Sequence, residues 1–289
     1  MSANIARGRY TSRRLINHAG TGLTVLAVVV ALIPLGAMLA WVIGQGGSSL
    51  DFNFFTQVPK AEGEVGGGMV NAILGTLELV LMASLIGLPI GIMTGIYLAR
   101  AGSGSFAQIV RFVTDVIAGT PSIVAGMVAY ALIVLPSHHF SAFSGSVALA
   151  LLMFPTVARA AESSINLVPP AIREAGLALG LPEWKTMLRV ILPAAASGIV
   201  TAVMLGIARV AGETAPLLFT ALGNPATQFS PSGAIESLPH QIFVYATSPY
   251  ADQHRQAWAG AFVLFAIILI LNLTARLLTR RLAARTSAA

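Results

Sequence analysis

Cysteine is absent from all 289 residues, which excludes disulfides, thiolate metal ligands and cysteine nucleophiles and leaves the redox compartment open. Charge is scarce as well. Only 10% of the residues are charged, against about 25% in soluble globular chains. Lysine occurs only at Lys60 and Lys185, neither in a G-x-x-x-x-G-K-[ST] setting, so the chain has no phosphate loop with which to bind ATP. His18, His138, His139, His240 and His254 show no HExxH or comparable metal spacing, and no Ser/His/Asp set falls at a recognisable catalytic spacing. No enzyme site, metal or cofactor is expected.

Long uncharged runs are abundant. They cover 19–50, 79–99, 116–158, 190–208, 214–235 and 256–275 in a chain that is 56% hydrophobic. A helix crosses the hydrocarbon core with about 20 apolar residues, so these runs predict an all-α membrane protein. The third run is long enough for two spans, turning at Pro136-Ser137-His138-His139, and the fourth and fifth read as one helix interrupted by Arg209 and Glu213. Six transmembrane helices result: 21–43, 69–99, 106–134, 145–157, 193–222 and 258–278.

Placing the N-terminus in the cytoplasm puts fourteen Lys and Arg on the cytoplasmic side, including Arg7, Arg9, Arg13, Arg280, Arg281 and Arg285 in the tails. Only Lys60 and Arg255 lie outside. Such a bias puts both termini in the cytoplasm and accounts for the net charge of +6 without nucleic acid. The basic stretch from Arg7 to Arg14 precedes an apolar run too long for a signal-peptide core, so the first span is expected to be retained.

The chain divides into a basic, structureless tail (1–18), a first helix and outer loop (19–68), a main membrane domain (69–279) and a second basic tail (280–289). In the outer loop, Phe52, Phe54 and Phe55 are expected along the interface, and a long second outer loop covers 223–255. In the second span, Gly87, Gly91 and Gly95 share one face, where another helix can approach closely. Glu78 lies near its outer end. The third span contains Gly119-Thr120-Pro121-Ser122, and a proline there predicts a bend that is either a gate or a feature of shape. Asp115 lies one turn before it, and Arg159 and Glu162 follow the fourth span.

The stretch from 168 to 223 organises the rest. Pro170 suits a first helical turn, Gly180 a helix end and Pro182 the start of a second helix with Glu183 at its positive end, so 169–193 should form two short helices around a sharp corner. Ile172, Gly176 and Leu179 recur at helical spacing while Arg173 and Glu174 point elsewhere. A mere connector would be short and featureless, whereas this loop is shaped to dock.

Arg209 and Glu213 follow four residues apart, on one face if the helix continues. An arginine in a span is costly, so the pair must face protein or a water-filled path. It is either a neutral ion pair joining helices or a site where Arg209 offers its planar donor fork to an oxyanion, with Thr214 adding a hydroxyl. The pair sums to zero charge. On the second reading another subunit supplies a further cation, and Glu213 keeps the anion from binding too tightly to leave.

Glu174-Ala175-Gly176, Gly180 and Val190-x-Leu192-Pro193 resemble the EAA loop of type I ABC importer permeases, E-A-A-x3-G-x9-I-x-L-P, with Gly176 for alanine and Val190 for isoleucine. RVAGETAPLLFTA from Arg209, LPHQIFVYATSP from Leu238, PSIVAG from Pro121 and PTVAR from Pro155 are similar to the PstA family of phosphate-specific permeases, over about 71–276. The resemblance implies the six-helix permease fold with an EAA loop at 168–193, and four kinds of partner: a PstC-type second permease, two PstB-type ATPases, a PstS-type phosphate-binding protein and the lipid bilayer. It implies a phosphate path at Arg209, Glu213 and Thr214, and ATPase coupling at Glu174, Ala175, Gly176, Gly180 and Pro193. Gating or packing falls to Thr120, Pro121, Ser122 and Arg159.

Three other readings stand beside it. A PstC-type partner, or a permease for another oxyanion, would keep the docking loop. An ion-coupled secondary transporter would bury Arg209 and Glu213 but has no use for such a loop. A non-transporting scaffold leaves the charged pair unexplained.

Overall fold

The computed structural model describes the backbone of residues 2–286, and side chains from 16 to 274 together with Arg14, Arg276 and Leu277. Residues 287–289 and the side chains of Arg7, Arg9, Arg13, Arg280, Arg281 and Arg285 lie outside the described residues. The described chain is almost wholly helical, in the order α1 (Ser2–Gly47), α2 (Val70–Ala101), α3 (Ser105–Gly119), α4 (Ser122–Ser137), α5 (Ala142–Asn166), α6 (Pro170–Ala178), α7 (Glu183–Ala211), α8 (Leu238–Ala246) and α9 (Ala251–Thr286). Short helical turns at Phe52–Thr56 and Leu217–Thr220 complete it. Five of these helices are long and apolar enough to cross a membrane, and α3 with α4 makes a sixth if the bent pair is one span.

The core is built around α5. Two thirds of its apolar window, 67%, is buried, against 28% for α2 and 6% for α1. α2 and α5 pack closely against each other, and the glycine face anticipated on α2 explains how. A Cβ on Gly91 would stand 2.9 Å from the carbonyl oxygen of Phe154, and one on Gly95 only 2.7 Å from that of Ala158. Hydrogen in place of a side chain lets the two backbones touch.

Proline marks each irregularity. The bend expected at Thr120-Pro121 is 104°, because Thr120 takes the extended conformation imposed on a residue before proline, and α4 starts afresh with Pro121 as its cap. Within α4 and α7, wide π turns at Tyr130–Val134 and Met187–Ile191 each stand just ahead of a proline, Pro136 and Pro193. The amide of Leu192 reaches back five residues to the carbonyl of Met187. That slack lets the helix run on past a residue with no amide hydrogen.

Four expectations need correction. Of the tail expected over 1–18, the described residues from Ser2 onward belong to α1, and no proline interrupts them. Pro193 does not separate a short docking helix from a span, because the π turn carries Glu183–Ala211 through as one helix of 29 residues. The fifth span does not reach residue 222. It stops at Ala211, where Gly212 caps it and Pro216 bars a restart until Leu217. Of the three phenylalanines expected along the interface, Phe54 is instead buried, at 2% exposure, in the cluster with Met69 and Tyr245.

Candidate functional site

The corner between α6 and α7 is the most sharply specified piece of local structure. Gly180 adopts φ +79°, its amide donates to the carbonyl of Leu177 at 2.9 Å and the next amide, of Leu181, to that of Gly176 at 3.2 Å. That paired closure satisfies the orphan carbonyls of α6, and only glycine accepts its left-handed residue without strain. Pro182 then caps α7, with Glu183 in the first turn. Gly176 is the sole buried residue of α6 and faces Thr186, whose Cγ2 would lie 2.8 Å from a Cβ there. Ile172, Gly176 and Leu179 thus do not form one buried face: Leu179 is 83% exposed, and Glu174, Ala175 and Gly180 are open too. α6 is held at its end and leaves its sides uncovered.

Arg209 and Glu213 are not brought together in the way their spacing suggests. The helix ends between them, so they do not share a face, and no ion pair joins them among the described residues. Arg209 is exposed within this single chain rather than buried, and its Nη1 donates to Thr156 Oγ1 of α5 at 3.2 Å. Glu213 and Thr214 lie half-buried in the turn beyond. That turn is clasped to α4: a Cβ on Gly126 would come within 2.6 Å of Pro216 Cα. The segments 121–126 and 209–221, far apart in the sequence, therefore meet.

Arg159 belongs to a charge cluster that pattern alone did not disclose. Its Nε donates to Asp115 Oδ1 at 2.9 Å, Nη2 engages the same carboxylate, and Nη1 reaches Glu162 Oε2 at 3.2 Å. Glu162, 7% exposed, also accepts from Arg111 Nε at 2.9 Å. Arg111 spends its other nitrogens on the carbonyls of Gly102, at 2.6 Å, and Leu98, at 3.0 Å, at the end of α2. Two arginines and two carboxylates thereby pin α3 against α2 and α5, beside the bend at Thr120. Thr120 turns its hydroxyl back onto the carbonyl of Val116 at 2.8 Å, and Ser122 opens α4. The signal for this cluster in the sequence was weak: four charges at helix ends, with nothing to say that they converge.

At the end of the bundle opposite the corner lies a pocket of about 500 Å³, whose lining includes Lys60, Asn224, Glu236, His240, Gln241 and Tyr250. Glu236 Oε1 and His240 Nδ1 are 2.6 Å apart. Neither the pocket nor the pair was anticipated, although both fall within or beside the quoted LPHQIFVYATSP segment. Among the described residues no group of three or more acidic or histidine side chains could hold a metal ion.

The model of the family described as "Binding-protein-dependent transport system inner membrane component" matches residues 87–287. The chain is 42% identical over 270 residues to a phosphate transport system permease protein PstA of Haemophilus influenzae, covering 93% of this chain and 95% of that one. It is 40% identical over 273 residues to the PstA of Yersinia pestis, covering 94% and 92%. In fold it is similar to a chain of a bacterial alginate ABC transporter solved with an alginate-bound periplasmic protein, with a TM-score of 0.61 at 15% identity over 90% of this chain and 93% of that one.

Proposed function

Because this chain belongs to the PstA permeases among the binding-protein-dependent transport inner membrane components, we propose that it conducts inorganic phosphate across a bacterial or archaeal plasma membrane as one of two permease subunits of an ATP-driven importer. A PstC-type permease completes the path, two PstB-type ATPases hydrolyse ATP in the cytoplasm, and a PstS-type protein delivers phosphate outside. Both termini and the α6–α7 corner face the cytoplasm, in line with the basic excess on that side.

The observation that carries the coupling role is α6 itself. A helix that buries only Gly176 in its own chain gains little from folding alone and needs a neighbour. Its open sides bring Glu174, Ala175 and Leu179 to that neighbour, while Gly180 sets the corner and Pro193 lies just past the π turn of α7. Binding protein and ATP each favour one state of the permease pair, and the corner carries that preference between them.

Phosphate passes at the end of α7. Arg209 leaves most of its five donors unused after its bond to Thr156, and no carboxylate of this chain neutralises it among the described residues. A planar fork with free donors suits an oxyanion. Glu213 and Thr214, one turn on, supply the opposing charge and a hydroxyl. The bend at Thr120, Pro121 and Ser122, with Arg159 in the cluster beneath it, gives the path a wall able to move.

The test is ATP-driven uptake by vesicles carrying the whole assembly. Arg209→Gln should abolish phosphate uptake while all subunits still co-purify, and Glu174→Lys should release the ATPase. Normal uptake by Arg209→Gln would place the anion path in the partner permease. Uptake competed by sulfate or molybdate in preference to phosphate would identify a different oxyanion.

A further inference from the structure

The carboxylate of Glu183 joins three elements. Oε1 accepts from Arg173 Nη2 on α6 at 2.7 Å, Oε2 accepts from Arg100 Nη2 at the end of α2 at 2.8 Å, and the residue itself opens α7. The corner closure and the contact of Gly176 with Thr186 already make α6 and the start of α7 one body. Beneath it, Ile96 and Ala99 of α2 pack on a cluster containing Ile165 and Ile191, a greasy contact with no preferred direction. Beside that contact a cavity of about 180 Å³ separates Arg100 and Ala99 from Pro169, Arg173 and Met187. The Arg100–Glu183 bridge adds the polar link between α2 and that body.

The other end of α2 is also gripped, about 36–44 Å from Arg100 at about 1.5 Å per residue. Buried Asn71 donates from Nδ2 to the carbonyl of Asn224 at 2.8 Å, and buried Thr76 accepts the amide of Leu238 on Oγ1, also at 2.8 Å. Between them Gly75 lies against the backbone of Glu236, so close that a Cβ would stand 2.0 Å from its carbonyl oxygen. In between, Gly87, Gly91 and Gly95 of α2 lie against the backbone of α5.

We infer that α2 is a connecting rod, fixed to the outer segment 224–238 by Asn71, Gly75 and Thr76 and to the docking corner by the Arg100–Glu183 bridge. A partner seated at the outer end is thereby sensed at α6. The inference rests on the functional reading above, in which the binding protein meets the outer end and the ATPase meets α6. Both partners of the bridge are half exposed, so it contributes little to stability and can be removed without unfolding the chain.

This chain has no cysteine of its own, so cysteines introduced into it are the only ones it carries. In the complete assembly, ATP hydrolysis is measured with and without phosphate-loaded binding protein. Arg100→Ala should keep co-purification and unstimulated hydrolysis but lose about fivefold or more of the stimulation, the lower edge of common coupling factors. Arg100→Lys should keep most of it, and Arg100→Cys with Glu183→Cys, joined by a short thiol-reactive linker, should restore it. Full stimulation of Arg100→Ala would overturn the proposal, as would loss of the ATPase from Arg100→Ala alone, which would make the bridge an assembly contact. If the unaltered assembly is not stimulated at all, the functional reading falls and the rod with it.

Discussion

Glu162 is the residue on which the α3–α5 charge cluster depends, and its replacement by glutamine tests how that cluster works. It is 7% exposed and receives Arg111 at 2.9 Å and Arg159 at 3.2 Å. Removing one partner of a fully buried pair costs about 3–5 kcal/mol, because the other charge is stranded. Here neither guanidinium is stranded: the two side chains are 27% and 36% exposed, Arg111 keeps two carbonyls and Arg159 keeps Asp115. What is lost is the charge-assisted part of two hydrogen bonds, and we expect Glu162→Gln to destabilise the chain by about 1–3 kcal/mol. Asp115→Asn, at an exposed carboxylate, should cost distinctly less. Thermal unfolding in detergent, followed by tryptophan fluorescence, reads both variants under one condition. Equal losses for Glu162→Gln and Asp115→Asn would refute the reasoning, since burial would then not decide the contribution. An unchanged midpoint for Glu162→Gln would refute it too.

Gly176→Ala should press a methyl group into Thr186 and weaken the corner by about 1–3 kcal/mol, as overpacking does. Thr186→Ser, which removes the offending Cγ2, should recover most of that, with ATPase attachment and thermal midpoint as the readouts. Glu213→Gln should raise apparent phosphate affinity and slow turnover, because one unit charge at about 4 Å and an effective dielectric near 20 is worth roughly 4 kcal/mol. Lower affinity with unchanged turnover in uptake assays would show that Glu213 does not oppose retention of the anion.

Much of this architecture is written in local chemistry. Long apolar runs mark the spans, since each must bury or expose a whole helix length to lipid. Gly180 and Pro182 announce the corner because few residues accept φ +79° or begin a helix without an amide hydrogen. The glycine face of α2 and the bend at Pro121 follow from the same kind of reasoning. Pro193 shows its limit. A proline inside a helix pattern reads as a boundary, and whether a π turn absorbs it depends on the packing of both flanks.

The charged residues divide in the same way. That Arg209 and Glu213 are exceptional in a span was legible from composition and cost alone. Their relation was not, because a helix ending at Ala211 and a Pro216 clasped by Gly126 remove the shared face that the four-residue spacing implied. Nor was the convergence of Arg111, Asp115, Arg159 and Glu162, which lie on two helices brought together by the bend. The sequence by itself determined a multi-span helical chain with a two-helix corner, since apolar length, glycine and proline act within a few residues of themselves. Only the tertiary structure decided which charges meet and which helix links the two ends, because ion pairs and close backbone contacts act over a few ångströms between residues that the chain itself keeps far apart.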